Sequence, residues 1–429
     1  MATRDVELLR RWVADARRRT AELFAAVRDE GLLGPKLTIV NPPLWEYGHV
    51  AWFQERWVLR HAAGRPPRRP DADALYDSSD VPHDVRCDLP LPSRRWTEDY
   101  LRLTATAVAD SLPSLDPGAR HFVELSVLHE DMHAEALAFT RQTLGNPAPR
   151  LSDAEAVVLA GGDLPGDAAI PGGTFLLGSR EDEPFVFDNE QWEHPCEVRP
   201  FAIARAPVTQ AAFAVFVEER GYERRELWSD AGWAWRVSAR ASAPLYWDRR
   251  GSEWWRRDFD RWVPLEPNRP VVNVSLFEAE AYCRFARRRL PTELEWEVAA
   301  AGEPGAGGAL AHRKRRYPWG DAPPTAALAH LDFRSLHPLD VGALPDGDSA
   351  FGCRQMLGNV WEWTGSPFLP YPGFSPGAYR DYSLPWFGNH QVIRGGSFAT
   401  TSRIARNAFR NFYTPDRRDQ WVGFRTCAA

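Results

Sequence analysis

The spacing of apolar and polar positions divides this chain in two. From about Asp5 to Leu144 apolar residues recur with helical period. Val6, Leu9, Trp12, Val13, Ala16 and Leu23 line one face of a helix predicted from Asp5 to about Glu30. A second helix is predicted from Asn41-Pro42-Pro43, with Asn41 as the cap and proline suited to the first turn, to about Leu59. A third spans Trp96 to Leu112 and a fourth Pro117 to Leu144. Four helices joined by longer loops read as a bundle, and bundle cores are common places for metal sites.

The pattern breaks at Gly145 to Pro171, where Pro147, Pro149, Gly161, Gly162, Pro165 and Gly166 read as a connection between domains. Beyond it short β-branched and aromatic runs alternate with loops rich in Trp, Gly and Pro. Two helical islands interrupt them. One spans Ser275 to Ala286; the other follows Pro291, where Thr292 and Glu295 have capping-box spacing. The predicted class is α+β, with a helical domain at 1–150 and a loop-rich domain at 151–429.

A length of 429 residues agrees with two cores. The net charge of −6, with signs mixed along the chain, argues against nucleic acid as the main partner. Nineteen tryptophans and 12% aromatic residues suit a rigid protein with pockets. The five cysteines, Cys87, Cys196, Cys283, Cys353 and Cys427, form no Cys-x-x-Cys and are odd in number, so reduced thiols are expected. The opening Met-Ala-Thr-Arg-Asp leads into a charged amphipathic helix without an apolar signal core. No stretch is apolar enough for a membrane span, so a cytoplasmic location is expected.

Candidate chemistry begins with three histidines. His129 and His133 stand in Leu-His-Glu-Asp-Met-His-Ala-Glu, one turn apart on one helical face. Spacing alone does not separate a metal pair from ordinary helix surface. His49 stands far upstream in Trp-Glu-Tyr-Gly-His-Val-Ala-Trp-Phe, where a satisfied core histidine is the simpler reading. Each, however, lies in a strongly apolar helical stretch where an unpaired imidazole is costly. A third imidazole from another helix would complete a facial nitrogen set with open positions, which suits a redox-active iron.

The second half carries Ile170-Pro-Gly-Gly-Thr-Phe-Leu-Leu-Gly-Ser179, Pro207-Val-Thr-Gln210, Arg289-Leu-Pro-Thr-Glu-Leu-Glu-Trp-Glu297, Gly358-Asn-Val-Trp-Glu-Trp-Thr364, Val392-Ile-Arg-Gly-Gly-Ser-Phe398 and Gly423-Phe-Arg-Thr426. Each is weak alone, and most of these residues have a structural explanation: turn glycines, core tryptophans, buried charges paired with backbone. In this order they resemble the formylglycine-generating-enzyme (sulfatase-modifying factor) fold, a loop-rich relative of C-type lectins. The first half resembles the DinB-like four-helix bundle, a fold known for three-histidine metal sites.

The fusion of the two resembles the ergothioneine and selenoneine synthases. These are non-haem iron(II), O2-dependent enzymes that join sulfur or selenium to the imidazole C2 of hercynine, the trimethylated betaine of histidine. The resemblance implies Fe(2+) held by His49, His129 and His133. It implies a substrate-pocket floor along Phe409-Arg-Asn-Phe-Tyr-Thr-Pro415, with Arg410 in it, Asn411 close to hercynine and Phe412 facing the quaternary ammonium. A tyrosine is expected to supply a proton or hydrogen atom; the candidates are Tyr379, taken first, Tyr382 and Tyr413.

Three departures bear on the donor. Members that use γ-glutamylcysteine typically carry Gln where this chain has Met132. They tend to have Arg-Asn-Trp-Asp where it has Arg410-Asn-Phe-Tyr413. A close arginine pair is missing from Asp80-Val-Pro-His-Asp-Val-Arg86, which leaves Arg86 alone. These losses favour a neutral, hydroxyl-rich selenosugar over a zwitterionic thiol. The expected activity is therefore selenoneine synthesis, with an ergothioneine-type sulfoxide synthase as the alternative. A metal-dependent thiol transferase working without O2 and a non-catalytic lectin-like binding protein are the rival classes.

Overall fold

The computed structural model describes residues 5–25, 27–155, 157 and 160–429. Two compact units emerge. The first comprises residues up to Ser152 together with Asp182–Phe185 and Phe259–Arg261, and the second comprises the rest.

The first unit is helical: α1 (Val6–Ala25), α2 (Pro43–Gln54), α3 (Ala72–Tyr76), α4 (Arg94–Ser111) and α5 (Pro117–Thr143). Ser93 caps α4 and Asp116 caps α5, each side chain accepting a backbone N–H of the first turn. Leu9, Val13 and Ala16 of α1 pack with Val108 of α4 and Val123 and Val127 of α5. α1 stops short of the predicted Glu30. Val27 bonds back to Phe24 over three residues, and its carbonyl is taken by Arg94, so the chain leaves the α path. The second helix passes at Glu55 into a π-helical segment, Glu55–Ala62, which helical periodicity alone does not anticipate. Asn41 is not the cap of α2. Pro42 occupies that place without a side-chain bond, and the Asn41 amide is used elsewhere.

The second unit is built on two four-stranded sheets. One runs Asp167–Ile170, Phe201–Ala204, Cys427–Ala428, Arg288–Arg289, all antiparallel. The other runs Arg410–Tyr413, Gln391–Arg394, Trp361–Pro367, Val422–Gly423, with its last pair parallel. Four helices accompany them: α6 (Gln210–Glu218), α7 (Asp230–Ser238), α8 (Leu276–Phe285) and α9 (Glu293–Ala301). Both α8 and α9 open on complete capping boxes, Ser275 with Glu278 and Thr292 with Glu295. α6 and α7 were not expected from the pattern. They are nine residues each, and their caps Thr209 and Ser229 lack the following acid that marks the other two.

The motif residues of this unit pair with one another inside its core. Arg394 and Arg410 face each other across neighbouring strands, a repulsive arrangement on its own. Glu293 neutralises both, accepting Arg394 at 2.8 Å and Arg410 at 2.7 and 3.0 Å, and Glu297 accepts Arg394 and Lys314. Glu362 and Arg425 form a bidentate pair at 2.7 Å for each bond, both side chains fully buried.

Buried titratable groups in this unit give a testable pH dependence. The His330 ring is 3% exposed, and its Nε2 donates to the His337 carbonyl at 3.0 Å. Burial above all pushes its pKa from 6.5 down to about 4. The unfolded chain takes this proton more readily than the folded one. The contribution of neutral His330 is therefore complete above about pH 6.5 and is lost as pH falls through about 4. The difference is worth about 3 kcal/mol. Thermal melts of the wild type and His330→Gln should diverge in pH dependence between those limits. Parallel profiles would show that His330 stays solvated.

Candidate metal centre

The three histidines of the first half meet. One ring nitrogen from each of His49, His129 and His133 lies within 4.8 Å of the others, the one such His, Cys, Asp or Glu group found among the described residues. His49 comes from α2, His129 and His133 from successive turns of α5. His49 and His129 are 1% and 3% exposed, and His133 is half-buried. The Nε2 atoms of His129 and His133 stand 3.1 Å apart, close enough for one ion to reach both at about 2.0–2.1 Å.

Local sequence explains the placement. Gly48 precedes His49, and a Cβ there would stand 2.4 Å from the Tyr76 ring. Glycine lets α3 close on α2, which brings the Tyr76 carbonyl to 2.8 Å from His49 Nδ1. A carbonyl only accepts, so Nδ1 carries the hydrogen and Nε2 keeps its lone pair. His133 Nδ1 meets the Glu46 carboxylate in the same sense. Trp45 stacks on His49 with ring centroids 4.7 Å apart, and Phe53 stacks on His129 at 3.5 Å.

The acids in the same motif point away. Glu130 pairs with Arg17 at 3.1 Å and Asp131 with Arg19 at 3.5 Å, both on α1. Burial, followed by the charge of His133, depresses His49 to about 3, and burial lowers His129 strongly. Burial opposes ionisation of Glu46, but His133, His49 and Asn41 together hold its pKa below the ordinary carboxylate value. Three ring nitrogens brought to one point, two of them on imidazoles whose outer nitrogens are held by acceptors, are what a divalent ion requires of its ligands. The residues present therefore fit a divalent metal ion, iron(II) included.

Of the other residues singled out by sequence, Met132 is half-buried on α5 between the paired histidines. Arg86 is buried, its guanidinium turned to the Val81 and Ser78 carbonyls and to Asn41. Arg410 is buried in the Glu293 network. Asn411 accepts the Phe412 N–H at 2.7 Å, and Phe412 stacks on Phe368 at 3.9 Å. Tyr382 stacks on Phe187 at 4.5 Å and lies 6.2 Å from both Tyr379 and Phe412. Burial first, then Glu190 and Asp188, holds the Tyr382 hydroxyl well above its ordinary pKa. Tyr413 lies half-buried under the Arg417 guanidinium at 5.4 Å. Glu46, three residues before His49, was missed by sequence reasoning; an acid one turn from a buried histidine was the available signal.

Residues 154–429 match the sulfatase-modifying factor enzyme 1-like domain, so the class is a helical unit with a three-histidine cluster joined to a domain of that type. The formylglycine-generating enzyme of Streptomyces coelicolor is 34% identical over a stretch covering 61% of this chain and 88% of that protein. Two further relatives match both units. The hercynine oxygenase of Mycolicibacterium thermoresistibile is 41% identical, covering 97% of this chain and 94% of that protein. That of Mycobacterium tuberculosis is 38% identical, covering 90% and 91%. The chain belongs to the hercynine oxygenase family.

Proposed function

We propose that this protein is an iron(II)- and O2-dependent oxidoreductase that joins a chalcogen to the imidazole C2 of hercynine, with a selenosugar as donor. The observation that carries the reading is the cluster of three imidazoles, two of them with outer nitrogens held by acceptors, in a chain similar over 97% of its length to a hercynine oxygenase. The helical unit is read as a DinB-like bundle and the three histidines as the ligands. When bound, iron(II) supplies the electrons and open positions needed to activate dioxygen.

The overall change balances with O2 as oxidant. The ring C2–H and the donor Se–H break, a C–Se bond forms, one oxygen atom stays on selenium and the other leaves as water. Asn411 is assigned to hydrogen bonding with hercynine and Phe412 to the face that meets its trimethylammonium group. Tyr379 is assigned to supplying a proton or hydrogen atom during the reaction and recovering it from the C–H or Se–H bond that breaks, with Tyr382 and Tyr413 as the alternatives.

The donor assignment rests on what a zwitterionic thiol would find. Tyr413 stands where related enzymes offer an acid, and Met132 where they offer an amide. Arg86 is directed to protein carbonyls and Asn41. Charge-assisted contacts are worth about 1.5–3 kcal/mol each, so each one missing weakens such a donor more than about tenfold. A hydroxyl-rich donor does not depend on them.

The test loads the protein with iron(II) anaerobically, then supplies hercynine with equal selenosugar and γ-glutamylcysteine, and follows products by mass spectrometry. Product is expected only after O2 is admitted, with the selenium product in large excess. Equal product without O2, or with zinc alone, would favour a metal-dependent transferase. A dominant γ-glutamylcysteine product would make the enzyme a sulfoxide synthase.

A further inference from the structure

We infer that Glu46, held in place by Asn41 and Arg86, is a positioning residue that sets how strongly His133 binds the metal. The inference rests on the metal reading above. Glu46 lies one turn before His49 on α2 and is 5% exposed. One carboxylate oxygen meets His133 Nδ1. The other accepts from the Asn41 amide at 2.5 Å. The Asn41 carbonyl oxygen in turn accepts from Arg86 Nη1 at 2.7 Å.

Arg86 is itself fixed, donating to the Val81 carbonyl at 2.9 Å, and its guanidinium lies 4.0 Å from the centre of the Trp45 ring. Trp45 is the ring that stacks on His49. One buried cation thus braces two of the three histidines, through an amide and a carboxylate to His133 and through an indole to His49. A carboxylate on the outer nitrogen of a ligating imidazole fixes the ring's orientation and raises the basicity of the inner nitrogen. Arg86, singled out in the sequence for donor binding, is on this geometry a support of the metal centre.

A simple tether between α2 and α5 would explain the same contacts, and Glu46→Gln separates the two roles. Glutamine keeps the size and one oxygen acceptor for His133, so the tether between α2 and α5 survives, but the negative charge and the acceptor facing the Asn41 amide are lost. Iron(II) affinity, measured anaerobically by competition with a chelator, should fall about 10–100-fold in Glu46→Gln. The visible absorption of the Co(II)-loaded protein should shift as well. Melting of the metal-free protein should change by no more than a few degrees. Asn41→Leu, at a half-buried position, should weaken iron(II) in the same direction, and the double variant should be no weaker than Glu46→Gln alone, because Asn41 acts through Glu46.

Wild-type iron(II) affinity and an unchanged Co(II) spectrum in Glu46→Gln would overturn the inference and leave the three-histidine reading standing. Additive losses in the double variant would overturn the relay through Asn41. A wild-type protein that fails to bind iron(II) overturns both the metal reading and the inference.

Discussion

Replacing His129 with alanine is expected to remove most of the iron and to abolish turnover while leaving a folded protein. Its imidazole is almost fully buried and stacked on Phe53, and its Nε2 stands 3.1 Å from that of His133. Loss of a direct ligand should cost more than loss of an outer-shell partner, which is typically worth about 10–100-fold in affinity. The fold is expected to tolerate the change because the metal-free site already buries three polar rings at some cost. Metal content by mass spectrometry and single-turnover product formation are the measurements. His49→Ala and His133→Ala should behave alike. A triple alanine variant that kept full iron and activity would remove the site from consideration.

The second large effect is on stability. Arg425→Met should destabilise the loop-rich unit by about 3–5 kcal/mol, the usual result of leaving one partner of a buried ion pair behind. The stranded group is Glu362, whose remaining side-chain hydrogen bond among the described residues is accepted from the Trp296 indole N–H at 2.9 Å. Arg425 also donates to the Arg354 carbonyl at 2.9 Å, so the substitution strips a backbone acceptor as well. At about 2–4 °C per kcal/mol for a large domain, melting should fall by roughly 10 °C. Exchanging both residues for apolar ones should recover part of the loss, since no charge is then stranded. A loss below about 1 kcal/mol in calorimetry would mean that water reaches the pair.

These two experiments mark what was legible in the sequence. Helix starts at Ser275 and Thr292 were readable because a capping side chain acts within three residues of itself, whereas the third helix was placed from Trp96 and begins at Arg94. The paired histidines were readable because helical spacing puts them on one face. The Glu46, Asn41 and Arg86 chain was not, because its links are 5 and 45 residues apart and every position of α2 is buried, so no polar face stands out. The partners in the loop-rich unit were equally hidden. Glu362 and Arg425 are 63 residues apart, and Glu293 and Arg410 are 117 apart. Their motifs were visible as fixed words, but only the folded sheet shows that the words are complementary halves of ion pairs. The early end of α1 depends on a tertiary partner, Arg94, which no local window contains.

The three imidazoles, the Tyr76 carbonyl, Glu46, Asn41 and Arg86 all fall between residues 41 and 133. These ligands and supports all belong to the helical unit. On the metal reading, a stretch of gene encoding residues 41–133 would carry every side chain of the centre named here.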